Sequence, residues 1–218
     1  MIAQVEKELI ENGISVIKNY VKEPADLALI TKEVDHILKK SDEGDYAFGK
    51  AARIGSLREN HLAGNTGIVG VFGAPWMHTL ASRHMKKDVE FDEMFITHEF
   101  RNDQGLGRNG YLHFDRIYTF KFILYLTDCD KSNGAFSCVP GSHINGKYLR
   151  SRISDKNKYS EMKNRIFIDY PDLGYTESDV VPIEGPAGTL IVFDTDLFHL
   201  GGLVENGKER KLIRLHLR

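Results

Sequence analysis

From residue 93 onward the chain reads as short strands cut apart by turn residues, and this punctuation constrains the fold more than any other feature. Residues 94–100, 111–115, 118–127, 135–139, 180–183, 189–193 and 211–217 carry apolar and β-branched side chains at strand spacing. Gly, Pro, Asn and Asp separate them. Residues 1–92 read differently. Ile2, Val5, Leu9 and Ile10 recur at helical intervals until Asn12-Gly13 stops them, and residues 14–21 read as a strand. Leu27, Ile30, Val34, Ile37 and Leu38 mark a second amphipathic helix over 24–40, with Pro24 in its first turn. Residues 41–65 show no period and read as loop. Residues 67–72 read as a short strand and 75–86 as a helix. The expected fold is mainly β with flanking helices: a jelly-roll core over 93–218, with the helical part, 1–92, packed outside it. All 218 residues form a single expected domain.

The net charge of −2 leaves no basic excess to neutralise phosphates, so nucleic acid is not expected as a partner. No apolar run approaches the ~20 residues that span a bilayer, so no membrane partner is expected either. The first eleven residues are charged and lack an apolar leader core. Two cysteines, Cys129 and Cys138, make no disulfide framework, and a cytoplasmic location is expected. Cys138 alternates with apolar neighbours and reads as a small buried hydrophobe.

Three residues carry the chemistry. His113 and Asp115 stand at i and i+2, so a strand turns both to one face. His199 follows the apolar run Gly188-Thr189-Leu190-Ile191-Val192-Phe193. Two imidazoles and one carboxylate are the ligand set that holds one face of an Fe(II) ion and leaves its other positions open. A lone His-x-Asp is common by chance. A second His at another strand's end, with Arg210 beyond it, makes the set specific.

Asn206-Gly207 signals a hairpin turn, so the last strand is expected to fold back beside the segment carrying His199. On that strand Arg210, Leu212, Arg214 and His216 share one face. A guanidinium there can clamp a carboxylate in bidentate fashion. One strand earlier, Phe120, Phe122, Leu124 and Leu126 form an apolar face, and Thr119, Lys121, Ile123 and Tyr125 a mixed one suited to a polar cavity. Lys121 is a candidate second carboxylate partner, although a snorkelling surface lysine competes with that reading. The stretch 144–179 reads as a charged insertion, expected to act as a lid over the pocket. Its Arg150 and Arg152, with Arg214 inside, are candidate contacts for an anionic small-molecule substrate. The same ligand set also serves metal-binding jelly-roll proteins without oxygenase activity, such as a sensor or a cupin-like isomerase. A zinc hydrolase shares the ligands but lacks an evident general base nearby.

The chain resembles the phytanoyl-CoA dioxygenase family of Fe(II)/2-oxoglutarate oxygenases. The likeness is carried by residues 11–20, by His113-Phe114-Asp115 and by residues 126–136 leading to Pro140-Gly141-Ser142-His143. Residues 188–194, His199 and Arg210-Lys211 complete it. The resemblance implies a double-stranded β-helix core, and His113, Asp115 and His199 as ligands of Fe(II). It implies Arg210 as partner of the distal carboxylate of 2-oxoglutarate, with O2 as the other cosubstrate. Relatives often carry tryptophan beside the cosubstrate where Ile123 stands, and serine where this chain has Gly201. Relatives that halogenate replace the carboxylate ligand by a small residue. Asp115 therefore points to hydroxylation, or a related oxidation, of a small molecule with release of succinate and CO2.

Overall fold

The computed structural model describes residues 1–39, 43–46, 50–57, 64–101, 110–152 and 163–218. Ten strands are described, in two antiparallel sheets that face each other as a jelly roll. The larger has the order β1-β8-β5-β10-β4-β3-β2 and the smaller β7-β6-β9. The strands are β1 (Ile14–Ile17), β2 (Glu43–Tyr46), β3 (Lys50–Leu57), β4 (Phe91–Arg101), β5 (Phe120–Tyr125), β6 (Ser137–Cys138), β7 (Val181–Pro182), β8 (Leu190–Asp194), β9 (His199–Leu200) and β10 (Arg210–Leu217).

The two-residue period of the strands sorts the large sheet's side chains into two cores. Phe120, Phe122, Leu124, Leu190, Val192, Ile213 and Leu215 point outward, where helices cover them. These are α1 (Ile2–Asn12), α2 (Pro24–Leu38), α3 (Thr66–Phe72) and α4 (Pro75–Met85). Val5, Leu9, Ile30, Val34, Met77 and Leu80 supply the helical half of that core. The other face meets the small sheet. Ile123, Tyr125, Ile191, Phe193 and Leu212 pack there against Phe136, Cys138 and Leu197. Cys129 and Cys138 are buried and unpaired. No helix among the described residues is long and apolar enough to cross a membrane.

Four expectations need correction. Residues 66–72 form a helix, not a strand. The Glu33 carboxylate on α2 accepts hydrogen bonds from the N–H groups of Gly67 and Ile68, both at 2.9 Å, and so caps a β-branched segment as helix. The stretch 41–65 contains two strands: β2 pairs β3, and β3 pairs β4, widening the large sheet. Gly207 does turn, at φ +78. The strand after it nonetheless leaves β9 and lies between β4 and β5. The insertion begins as helix α5 (His143–Ser151) and resumes with the short helix α6 (Ile166–Asp169). Ile166 is buried beside Leu112, Phe114 and Phe198, so this part of the insertion is built into the core. Residues 153–162 of the insertion lie outside the described residues.

Candidate metal centre

His113 and His199 are held side by side by their own backbones. The His113 N–H donates to the His199 carbonyl at 2.9 Å, and the His199 N–H returns the bond at 2.7 Å. The Asp115 N–H donates to the Thr195 carbonyl at 3.0 Å. On the outer side, Phe114 N–H bonds the Asn164 carbonyl and Ile166 N–H the Leu112 carbonyl. The His-x-Asp segment is thus threaded between the loop before β9 and the far end of the insertion. Phe114 and Phe198 alternate away from the ligands into the apolar cluster with Val139 and Ile166.

The side chains converge. His113 Nε2 lies 3.7 Å and His199 Nε2 3.6 Å from Asp115 Oδ1. One ligand atom from each residue falls within 4.8 Å of the others. Each imidazole turns its Nδ1 to a main-chain carbonyl, Tyr111 for His113 and Leu197 for His199, both at 2.7 Å. A carbonyl only accepts, so Nδ1 carries the proton and Nε2 presents a lone pair. Burial, helped by the neighbouring His199, pushes the His113 imidazole down to about 4, so it is neutral at physiological pH. Burial alone would raise the Asp115 carboxyl. The Lys121 ammonium reverses that and holds it well below the usual carboxylate range. Two lone-pair nitrogens and an anionic oxygen facing one point repel one another unless a cation lies between them. The donor set therefore fits a divalent metal.

Lys121 is not the surface lysine its sequence allowed. It is 8% exposed, and its ammonium donates to Asp115 Oδ2, the carboxylate oxygen turned away from the imidazoles. In this structure it pairs with Asp115, a candidate metal ligand.

A cavity of about 260 Å³ opens beside the three ligands, between the sheets. β10 supplies Arg210, Leu212, Arg214 and His216, the face expected from alternation, and β5 supplies Lys121 and Ile123. Arg210 is 4% exposed. Its cross-strand neighbour is Glu99, whose carboxylate accepts from Arg210 Nε at 2.7 Å and from Nη2. Sequence reasoning missed Glu99. The signal was there, since Phe95, Thr97 and Glu99 alternate on one face of β4 and all three line the cavity. Gly201 lines it as well.

Arg150 points inward. Its Nε donates to Asp196 Oδ1 at 2.5 Å, Nη1 to the Arg116 carbonyl at 2.8 Å and Nη2 to the Asp115 carbonyl at 2.6 Å. Its guanidinium lies 5.4 Å from the ring centres of Phe114 and Tyr118. One side chain thus ties α5 to both ligand-bearing segments. Arg152 donates to Tyr148 Oη, one helical turn back on α5.

The family model for phytanoyl-CoA dioxygenase (PhyH) matches residues 9–212. The chain belongs to this family. A phytanoyl-CoA dioxygenase of Arabidopsis thaliana is 31% identical over 109 residues, covering 50% of this chain and 36% of the plant protein. Phytanoyl-CoA dioxygenase 1 of Oryza sativa subsp. japonica is 27% identical over 135 residues, 59% of this chain and 44% of its own length. The matches thus span less than half of either plant relative. Among solved structures, the epimerase SnoN in complex with Fe3+, alpha ketoglutarate and nogalamycin RO superposes with a TM-score of 0.70 at 12% identity, covering 99% of this chain and 82% of SnoN. The non-heme alpha ketoglutarate dependent carbocyclase SnoK from nogalamycin biosynthesis gives 0.67 at 13%, covering 98% and 82%. At such identities the likeness is one of fold.

Proposed function

We propose that this protein is an Fe(II)- and 2-oxoglutarate-dependent dioxygenase that hydroxylates a small-molecule substrate and releases succinate and CO2. The observation that carries the reading is the convergence of His113 Nε2, His199 Nε2 and Asp115 Oδ1 with both Nδ1 protons fixed by main-chain carbonyls. Family membership and the jelly roll shared with SnoN and SnoK support it.

The roles follow from the contacts. His113, Asp115 and His199 hold iron by one face, which leaves positions open toward the cavity. When bound there, iron supplies the oxidative decarboxylation of 2-oxoglutarate coupled to oxidation of the substrate. Lys121 fixes the second oxygen of Asp115, so the carboxylate presents one oxygen to the metal and its orientation is set before loading. Arg210 receives the distal carboxylate of 2-oxoglutarate. Glu99 now sits on that guanidinium and must yield it. Ile123 and Gly201 line the same cavity and leave it room. The buried aromatic wall, Phe136 and Phe193, keeps water from the reacting centre. Two unpaired buried cysteines support work in a reducing, cytoplasmic setting.

Glu99 also favours a second reading, a metalloprotein whose arginine is permanently neutralised and which takes no 2-oxoglutarate. Calorimetric titration of the Ni(II)-loaded protein with 2-oxoglutarate separates the two. The oxygenase reading expects binding that Arg210→Ala weakens. The alternative expects no binding to either form.

A further inference from the structure

Resting on the reading that Arg210 takes the cosubstrate, we propose that Arg214 anchors the organic substrate, and that this substrate is a compact anion bearing a carboxylate, sulfonate or phosphate group.

Arg214 is the one cation lining the cavity that forms no close ion pair among the described residues, although the Glu99, Asp115 and Glu93 carboxylates act on it from further away. Lys121 is committed to Asp115 and Arg210 to Glu99. Arg214 forms no ion pair among those residues, and its Nε is buried without an acceptor. The Phe95 ring, 5.3 Å from the guanidinium carbon, braces its face. A guanidinium does not lose its proton in a protein. A half-buried guanidinium with a buried, unsatisfied Nε is costly, and native structures seldom keep one without a use.

Loading the centre does not relieve this. The two positive charges of Fe(II) and the two negative charges of 2-oxoglutarate cancel, so the surplus at Arg214 persists. Glu99, once released from Arg210, is the resident carboxylate that competes for Arg214. A further anion seated on the guanidinium neutralises the surplus that remains, and the cavity's low dielectric makes that contact strong. His216 Nε2, two residues along the same face of β10, is also buried and unpartnered. In the Nε2–H tautomer it donates a second hydrogen bond to a bound oxyanion.

Position suits the role. Arg214 lies opposite Ile123 on β5, and His216 lies opposite Lys121, the residue that holds Asp115. Cross-strand neighbours on one face stand about 5 Å apart. A substrate seated on Arg214 therefore reaches toward the metal from beside the cosubstrate, while Arg210 lies two positions further, past Leu212. Size sets the rest. At about 260 Å³, the cavity falls below the roughly 300–1,000 Å³ of sites for drug-sized ligands. With 2-oxoglutarate inside, the space left among the described residues suits a short anionic group. Arg150 and Arg152 do not compete for this task, because their guanidinium groups are engaged with Asp196 and Tyr148.

The test uses the full chain loaded with Ni(II) and 2-oxoglutarate, so that nothing turns over. Butyrate, butanesulfonate, butyramide and butylammonium are titrated by ligand-detected NMR, and 2-oxoglutarate separately by calorimetry. The two anions should bind, and the amide and the amine should not. Arg214→Ala and Arg214→Gln should weaken the anions by about 30-fold or more and leave 2-oxoglutarate affinity within about twofold, which also shows that both variants are folded. Failure of either anion to bind the wild-type complex overturns the proposal. Equal binding of the amide does so as well, as does a loss of 2-oxoglutarate affinity in the Arg214 variants in place of the loss for the anions. Should 2-oxoglutarate fail to bind the wild-type protein, the cosubstrate reading falls first, and the calorimetric arm reports that separately.

Discussion

Replacing Arg150 by methionine removes the guanidinium that joins α5 to both ligand-bearing segments and leaves Asp196 buried and unpaired. Asp196 is 4% exposed. Burial pushes its carboxyl up to about 6, against the downward pull of Arg150. Deleting one partner of a buried pair costs about 3–5 kcal/mol. Here the carboxyl has an escape. Without Arg150 its pKa rises further, and taking up a proton caps the loss. The expected destabilisation at pH 8 is about 3 kcal/mol, roughly 6–12 °C in Tm for a chain of this size. The sign of the pH dependence follows from the same group. A carboxyl whose folded pKa exceeds its unfolded value of about 3.9 binds more protons when folded, so its contribution falls as pH rises between the two values. Near pH 5.5 wild-type Asp196 is largely protonated, so little ion pairing remains to be lost. The gap between wild type and Arg150→Met should be smaller there, where the lost hydrogen bonds to the Asp115 and Arg116 carbonyls dominate, and full at pH 8. Urea denaturation of both proteins at the two pH values measures it. Adding Asp196→Asn to Arg150→Met should recover most of the loss, because no buried charge is then stranded. A gap below about 1 kcal/mol at pH 8, or one of equal size at both pH values, refutes the reasoning.

Other outcomes are expected. His113→Ala and Asp115→Ala should each abolish iron-dependent succinate release while circular dichroism stays at the wild-type signature; wild-type rates in either folded variant sink the ligand assignment. Arg210→Ala should weaken 2-oxoglutarate by about 2–5 kcal/mol, whereas Glu99→Gln, by removing the competing carboxylate, should tighten it; weaker binding in Glu99→Gln would show that Glu99 instead orients the guanidinium for the cosubstrate. A Cβ at Gly146 would meet the Asp196 carbonyl at 1.9 Å, against backbone that cannot swing aside. Gly146→Ala should therefore destabilise the fold by at least the 1–3 kcal/mol typical of overpacking, which thermal melting reads directly, and an unchanged melting temperature would show that α5 can lift away from the loop before β9.

What could be read from the chain was whatever its periodicity encodes. Strand alternation on β5 and β10 sorted the helix-covered face from the cavity face correctly, because both faces are buried and a one-residue slip would invert them. The same alternation placed Arg210, Arg214 and His216 on the cavity side. The illegible parts depend on partners distant in sequence. Residues 66–72 contain Ile, Val and Phe at strand-like density, and what makes them helical is a carboxylate 34 residues upstream. β2 and β3 have no inner period of their own; β3 exists because β4 offers it an edge, and β2 because β3 offers the next. Lys121 looked like an exposed lysine because nothing local announces the Asp115 carboxylate beneath it. Arg150 looked like a rim charge for the same reason, since Asp196 lies 46 residues away. Glu99 was one letter in a strand until β10 laid Arg210 opposite it.

The central claim is that the three converging ligands serve an iron centre that consumes 2-oxoglutarate. The most direct measurement is NMR of 2-oxoglutarate incubated with the wild-type protein, Fe(II) and 18O2, with mass spectrometry of the product. The account predicts conversion to succinate carrying one 18O atom, dependent on iron and lost in Asp115→Ala. A folded, iron-loaded protein that neither binds 2-oxoglutarate nor forms succinate contradicts it.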